Sequence, residues 1–486
     1  MDRKQAVVVI HGMGEQMPMQ TLNDLVNAVW TTDATLTDPE APDPETGGPR
    51  IENVSWTKPD DRNFTTEVRR ITTEPDIEGD RTDFYEFYWA HLMHGTTLEH
   101  VKAWLVGLLW RNPFKRVPRN VLTIWVLLWV FVIVGGAGLI YSWWPKEDPS
   151  PVSPFIAVGS GLAGLIAAGF VSNVMLKRFG DVARYVRAAP PNVARRMEIR
   201  KEGVALLHRL TESGDYDRIV VVAHSLGTIV AYDVLNMLFD DYNKDLKGGR
   251  ASALKQPERV KLEDMIRAAA GLPVSSGDYM EGGELDLDAY QAQQARALAE
   301  LQGQGFKWLV TDFVTLGAPL THAEFLLAED RAGLRRRQLH RELPTCPPAL
   351  MYDLVTQMWH IGYDPEETKG RKHDWRRVPH HAAVFGYTRW TNLYSEAKAI
   401  VLGDVISGPV GEVFGHELGE KAMVGIRDVA VMPKLTPFGR VDEGHVRRLI
   451  THNNYWLVGK GTDKSSDKGE HHIDALRKAV GLRRKM

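Results

Sequence analysis

The sequence predicts an α/β protein built on a largely parallel sheet. Apolar runs recur at 5–10, 51–57, 83–89, 218–223, 310–316, 384–394 and 422–431, the clearest of them rich in valine and isoleucine. Segments with helical spacing separate most of these runs, the alternation that lays strands side by side beneath helices on both faces. Two long uncharged stretches break the alternation between the run at 83–89 and a helical segment from about Asn192 to Leu210.

In chain order, Ala6–Val7–Val8–Val9–Ile10 reads as a buried strand, and His11–Gly12–Met13–Gly14 follows it directly. A glycine-rich turn at a strand end lets a backbone N–H point at a ligand oxygen. Residues 33–49, rich in Pro, Asp, Thr and Gly, read as a solvated loop. Leu98, Val101, Trp104, Leu105 and Leu108 form an apolar face at helical spacing, suited either to a membrane surface or to a core.

No charge occurs from Asn120 to Pro145, and none from Phe155 to Leu176. Each stretch exceeds the ~20 residues a helix needs to cross a bilayer. A short proline-bearing link with Lys146, Glu147 and Asp148 joins them, so the pair is expected to form a transmembrane hairpin with spans at about 121–144 and 155–176. Trp125, Trp129, Trp143 and Trp144 are candidate interfacial anchors, and Ser160, Gly164, Ala168 and Ser172 a ridge of small residues for helix approach. Lys102, Arg111, Lys115, Arg116 and Arg119 precede the first span, and Lys177, Arg178, Arg184 and Arg187 follow the second. The positive-inside rule then expects an integral, two-pass membrane protein with both ends cytoplasmic. Gly159, Gly161 and Gly164 match a dinucleotide-binding spacing, but they sit inside an apolar span with no strand before them, so nucleotide binding is not expected.

Beyond the hairpin, Ile219–Val222 reads as a second buried strand, Ala223–His224–Ser225–Leu226–Gly227 as a sharp turn, and Thr228–Leu235 as a helix. A serine between strand and helix, with small residues two before and two after, matches a nucleophile elbow. Thr311–Leu316 is a further strand, followed by Gly317–Ala318–Pro319–Leu320. These motifs in this order resemble the lipase-like serine α/β-hydrolases, over about 5–90 and 180–460, in a membrane-anchored branch. Ala223 stands where that family's usual pattern has glycine. The resemblance implies an α/β-hydrolase fold interrupted by the hairpin. It makes Ser225 the nucleophile, His11 and Gly12 the oxyanion loop, and the N–H groups of Met13 and Leu226 the oxyanion donors.

The family's acid follows a late strand and its histidine follows the acid. Val384–Tyr394 carries Trp390, Asn392 and Tyr394, a Trp-x-Asn-x-Tyr pattern that lipase-like relatives often follow with an aspartate. Lys398 stands near that place here, which leaves Asp404 as first choice and Glu396 as second. For the histidine, His452 opens His-Asn-Asn-Tyr-Trp and is preferred over His445, which reads as a helix start. In such a site the histidine takes the serine proton and the acid holds its tautomer. That mechanism requires no cofactor.

Residues 239–305 and 327–377 are insertions where hydrolases often carry lids, and a polar loop at 461–469 precedes a final helix at 473–480. The expected organisation is an N-terminal part of the hydrolase domain at 1–100, an interfacial helix and hairpin at 101–176, and the C-terminal part at 177–486. The 486 residues carry a net charge of −3, which gives no push toward nucleic acid. Cys346 is the lone cysteine, and no metal-ligand spacing of His and Cys occurs, so no metal site is expected. The apolar core of the amino-terminal segment is too short for a signal peptide. The expected activity is hydrolysis of an ester or related acyl bond, with a lipid substrate favoured because the hairpin would hold the site near a bilayer. A catalytically silent membrane adaptor on the same fold is the alternative. Oligomeric state is left open.

Overall fold

The computed structural model describes residues 4–12, 17–93, 190–246, 256–353, 357–362, 378–396, 406–418, 421–431, 452–458 and 471–482, less a few positions within the second stretch, together with isolated positions such as Asp404. Among them an eight-stranded sheet forms the centre, in the order β12-β9-β6-β5-β1-β4-β3-β2. Its strands are β1 (Lys4–Ile10), β2 (Ser55–Lys58), β3 (Arg70–Thr73), β4 (Arg81–Phe87), β5 (Arg218–His224), β6 (Val310–Leu316), β9 (Arg389–Tyr394) and β12 (Arg427–Ala430). Two small antiparallel hairpins lie apart, β7 (Met351–Asp353) with β8 (Met358–His360), and β10 (His416–Leu418) with β11 (Lys421–Met423). From β12 to β4 every pairing is parallel, while β3 runs antiparallel to β4 and β2 to β3.

Strands β1, β5 and β6 sit inside the sheet with both faces covered, which is why they read as unbroken apolar runs. Residues alternate between the faces, as the strand period of two requires. Ala6, Val8 and Ile10 join the core beneath α2 (Pro190–Glu212), α3 (Gly227–Leu246), α4 (Pro257–Ala270) and α5 (Leu287–Gln302). Val7 and Val9 face the core that α1 (Gln20–Val26) shares with the C-terminal helix. That helix, α7 (His472–Val480), lies beyond α6 (Arg331–Leu339) in the chain and buries Ile473, Leu476 and Val480 against the sheet. The insertion at 239–305 thus supplies two helices of the main core.

Several expected elements change shape. The run at 51–57 yields only the short edge strand β2, and β3 was not expected at all. The 384–394 run splits into a 3₁₀ turn at Val384–Gly386 and β9, and the 422–431 run splits into β11 and β12. The two-pass membrane hairpin is corrected. Among the described residues no helix is long and apolar enough to cross a membrane. The spans at 121–144 and 155–176 lie almost wholly outside the described residues, with only positions such as Leu122, Trp125 and Trp129 described as helical. A span needs its apolar residues in one unbroken helix of bilayer length, and the described residues contain none. The integral-membrane, two-pass localisation rested on the same spans and is withdrawn with them.

At the amino ends of the parallel strands, Asp312 holds two buried or half-buried guanidinium groups. Arg218 Nη2 donates to Oδ2 at 2.7 Å, and Arg389 donates to the two oxygens at 2.9 and 2.8 Å. Arg218 also donates to the carbonyls of Val480 and Gly481, pinning the end of α7 to the sheet. Asp312→Ala leaves Arg218 buried without its counter-charge, which typically costs about 3–5 kcal/mol. Urea unfolding of that variant is expected to show a loss of this size, and a change below about 1 kcal/mol would contradict this account of the sheet's base.

Candidate active site

Parallel register brings the carboxyl ends of five strands together. Ile10 lies beside Ala223 and Phe87, His224 beside Leu316, and Leu316 beside Leu393. The turns leaving β1, β5, β6 and β9 therefore crowd one edge of the sheet, where open α/β sheets place their ligand sites.

Ser225 sits between β5 and α3 with φ of 52°, a left-handed conformation that a side chain with a Cβ adopts at a cost. Its N–H donates to the Leu316 carbonyl at 3.0 Å, and its own carbonyl accepts from the Thr228 N–H and hydroxyl at 3.0 and 2.7 Å. Gly227 makes this turn possible, since a Cβ there would lie 2.5 Å from the Ile10 carbonyl oxygen and closer still to that of His11. A Cβ on Gly12 would in turn lie 2.8 Å from that of Ser225.

His452 Nε2 is 2.8 Å from Ser225 Oγ, and Nδ1 is 2.9 Å from Asp404 Oδ2. A carboxylate only accepts, so Nδ1 carries the proton and Nε2 accepts from the serine hydroxyl. Asp404 is 1 % exposed. Its Oδ1 accepts from the N–H groups of Ile406 and Ser407 at 3.0 and 3.3 Å, and its Oδ2 from the Tyr455 hydroxyl at 2.8 Å. Burial opposes ionisation, yet the His452 ring and these donors outweigh it and hold the carboxyl well below the usual carboxylate range. The arrangement can move a proton from the serine to the ring and stabilise the imidazolium that results.

The sequence's first choices for serine, acid and histidine are thus joined in one hydrogen-bonded chain. Glu396, the second choice for the acid, is exposed, and His445 and Met13 lie outside the described residues. Leu226 is fully buried at the start of α3, where N–H groups lack intrahelical acceptors. His11 is buried against Trp89, ring on ring at 5.1 Å and 3°. Its Nδ1 donates to the Gly12 carbonyl at 2.8 Å, and its Nε2 accepts the Trp89 N–H at 3.1 Å. Burial pushes its pKa down to about 4. The ring stays neutral and fixes the turn that the sequence assigns to the oxyanion loop.

Four contributors carry no role in the sequence reading. His224 Nε2 donates to the His452 carbonyl at 2.7 Å, and burial together with the neighbouring His452 pushes the pKa of His224 down to about 3. Tyr455, the tyrosine of the His-Asn-Asn-Tyr-Trp run, donates to Asp404. Asn392, in the Trp-x-Asn-x-Tyr run, donates to the Gly408 carbonyl at 3.0 Å and to Asp428 at 2.7 Å. Asp428 also accepts the N–H groups of Val410 and Gly411, so together they fix the chain just after Asp404.

No family model, curated protein or solved structure matches this chain. Fold and site define its class: an α/β protein with a mostly parallel sheet and a Ser–His–Asp chain at the carboxyl edge of that sheet.

Just before α1, the Met19 N–H donates to Glu86 Oε2 on β4 at 2.6 Å. Burial pushes this carboxyl from 4.5 up to about 7. A raised carboxyl favours the folded state while protonated. Its contribution is full below 4.5 and lost as pH rises through about 7. Glu86→Gln stays neutral throughout, so it is expected to match the parent near pH 4.5 and exceed it above pH 7 by a margin of order 3 kcal/mol. Urea unfolding across that range tests this, and a constant offset between the two proteins would refute it.

Proposed function

We propose that this chain is a serine hydrolase acting on an ester or related acyl bond. Ser225 is the nucleophile, His452 the general base and acid, and Asp404 the carboxylate that orients the ring. The observation that carries this reading is the Ser225–His452–Asp404 hydrogen-bond chain with distances of 2.8 and 2.9 Å, on a serine held at positive φ. It fits the likeness of the motifs to the lipase-like serine hydrolases.

Ser225 Oγ attacks the acyl carbon as its proton passes to His452 Nε2, and the ring then protonates the leaving group. Water repeats the cycle on the acyl-enzyme. The N–H of Leu226, and by the sequence reading that of Met13, stabilise the oxyanion. Asp404 stays ionised and fixes the tautomer that leaves Nε2 as acceptor. The preference for lipid substrates depended on the membrane hairpin and is not retained.

A fluorophosphonate probe tests the reading without knowledge of the substrate. The parent is expected to label, and Ser225→Ala to fold normally and take no label. Equal labelling of both proteins would remove the nucleophile assignment. With a short p-nitrophenyl ester, Asp404→Asn and His452→Ala are each expected to lose about ten-thousandfold in kcat/KM. Glu396→Gln is expected to keep most activity, and loss in that variant instead of Asp404→Asn would show that the wrong carboxylate was chosen.

A further inference from the structure

The carboxylate that holds His452 is shared. Tyr455 Oη and His452 Nδ1 approach the same oxygen, Asp404 Oδ2, at 2.8 and 2.9 Å. The tyrosine is fully buried, and its ring leaves no room at Gly317, where a Cβ would lie 2.9 Å from Tyr455 Cε2 and 3.2 Å from His452 Cε1. Its hydroxyl has three partners: Asp404, the Ser395 N–H at 3.0 Å and Ser407 Oγ at 3.0 Å. A phenol offers one proton and accepts through its lone pairs. The Ser395 N–H can only donate, and the ionised carboxylate can only accept. The phenolic proton therefore points at Asp404, and the Ser407 hydroxyl donates to the phenolic oxygen. Every hydrogen-bonding position of the group is filled and its polarity fixed.

We propose that Tyr455 is a positioning residue of the same site, whose hydroxyl takes up part of the charge on Asp404 Oδ2 and so sets how firmly that carboxylate holds the His452 ring. The inference rests on the proposed hydrolase reading and deepens it. Without the phenol, Oδ2 loses one of its donors, and its less shielded charge favours the protonated ring. The base is then lost at a higher pH than in the parent. With the phenol, the carboxylate is anchored by donors from Ile406, Ser407, His452 and Tyr455. Ser407 strengthens the effect, because a hydroxyl that accepts a hydrogen bond donates its own more strongly.

Few other groups can imitate this behaviour. His224 faces the His452 ring from the end of β5 at 4.9 Å, and His11 lies in the turn after β1. Burial pushes these to about 3 and about 4, so neither titrates between pH 5 and 9. Burial also raises the phenol of Tyr455 well above its ordinary range, so it remains a donor throughout.

The test is the rate of inactivation of the full chain by a fluorophosphonate between pH 5 and 9, in the parent, Tyr455→Phe and Ser407→Ala. The acid limb of the Tyr455→Phe profile is expected to move up by about one pH unit, so that labelling near pH 5.5 falls about tenfold. At pH 9 the rates are expected to agree within about threefold. Ser407→Ala should move the limb in the same direction by less, and it carries the test alone if Tyr455→Phe does not melt like the parent. A purely packing role predicts a uniform drop in rate and an unmoved limb, and that result overturns the inference while leaving the hydrolase reading intact. A parent chain that takes no label at any pH overturns both.

Discussion

The candidate site depends on one close approach between backbones. Gly227, at the start of α3, lies against the carbonyls of Ile10 and His11 so tightly that no Cβ fits between them. Parallel pairing of β1 with β5 brings the two turns side by side, and the missing side chain lets them touch. Contact at this depth keeps Ser225 in its left-handed conformation, a strain of order 1–3 kcal/mol that only a well-packed surround sustains. It also sets Gly12 against the Ser225 Cβ. The serine hydroxyl and the His11–Gly12 turn thus occupy fixed relative positions before any ligand arrives.

Around that contact the site is organised by buried charge and buried neutrality. Asp404 is ionised because donors from its own loop, from His452 and from Tyr455 replace the water it has lost. His11 and His224 are kept neutral by burial, and each spends its one ring proton on a carbonyl, of Gly12 and of His452. One neutral imidazole braces the turn after β1 and another braces the loop that carries His452. The same low-polarity surroundings strengthen every hydrogen bond in the chain and make each lost partner expensive.

The sequence revealed most where local pattern and burial coincide. Strands β1, β5 and β6 are covered on both faces, so their valines and isoleucines announce them without the structure. Strand β3, with Arg70 at its start and two threonines at its end, lacks such a pattern; it exists through pairing with β4 and through contacts such as that of Thr72 with Asp83. Ser225 was legible because an elbow needs small neighbours at fixed offsets. Asp404 and His452 emerged as first choices beside Glu396 and His445, and geometry joins the former pair to the serine. The roles of His224, Tyr455 and Asp428 were not legible, because they are made by contacts across long sequence separations. The hairpin at 121–176 was read from hydropathy alone, and among the described residues no helix is long and apolar enough to cross a membrane.

We infer from this geometry that His452 and Asp404 activate Ser225 for covalent chemistry. Rapid mixing of the chain with excess p-nitrophenyl acetate, followed by acid quench and peptide mass analysis, tests it directly. A burst of about one equivalent of p-nitrophenol is expected, with an acetyl group on the peptide that contains Ser225. The absence of a burst, or acetylation at other residues with Ser225 unmodified, would contradict it.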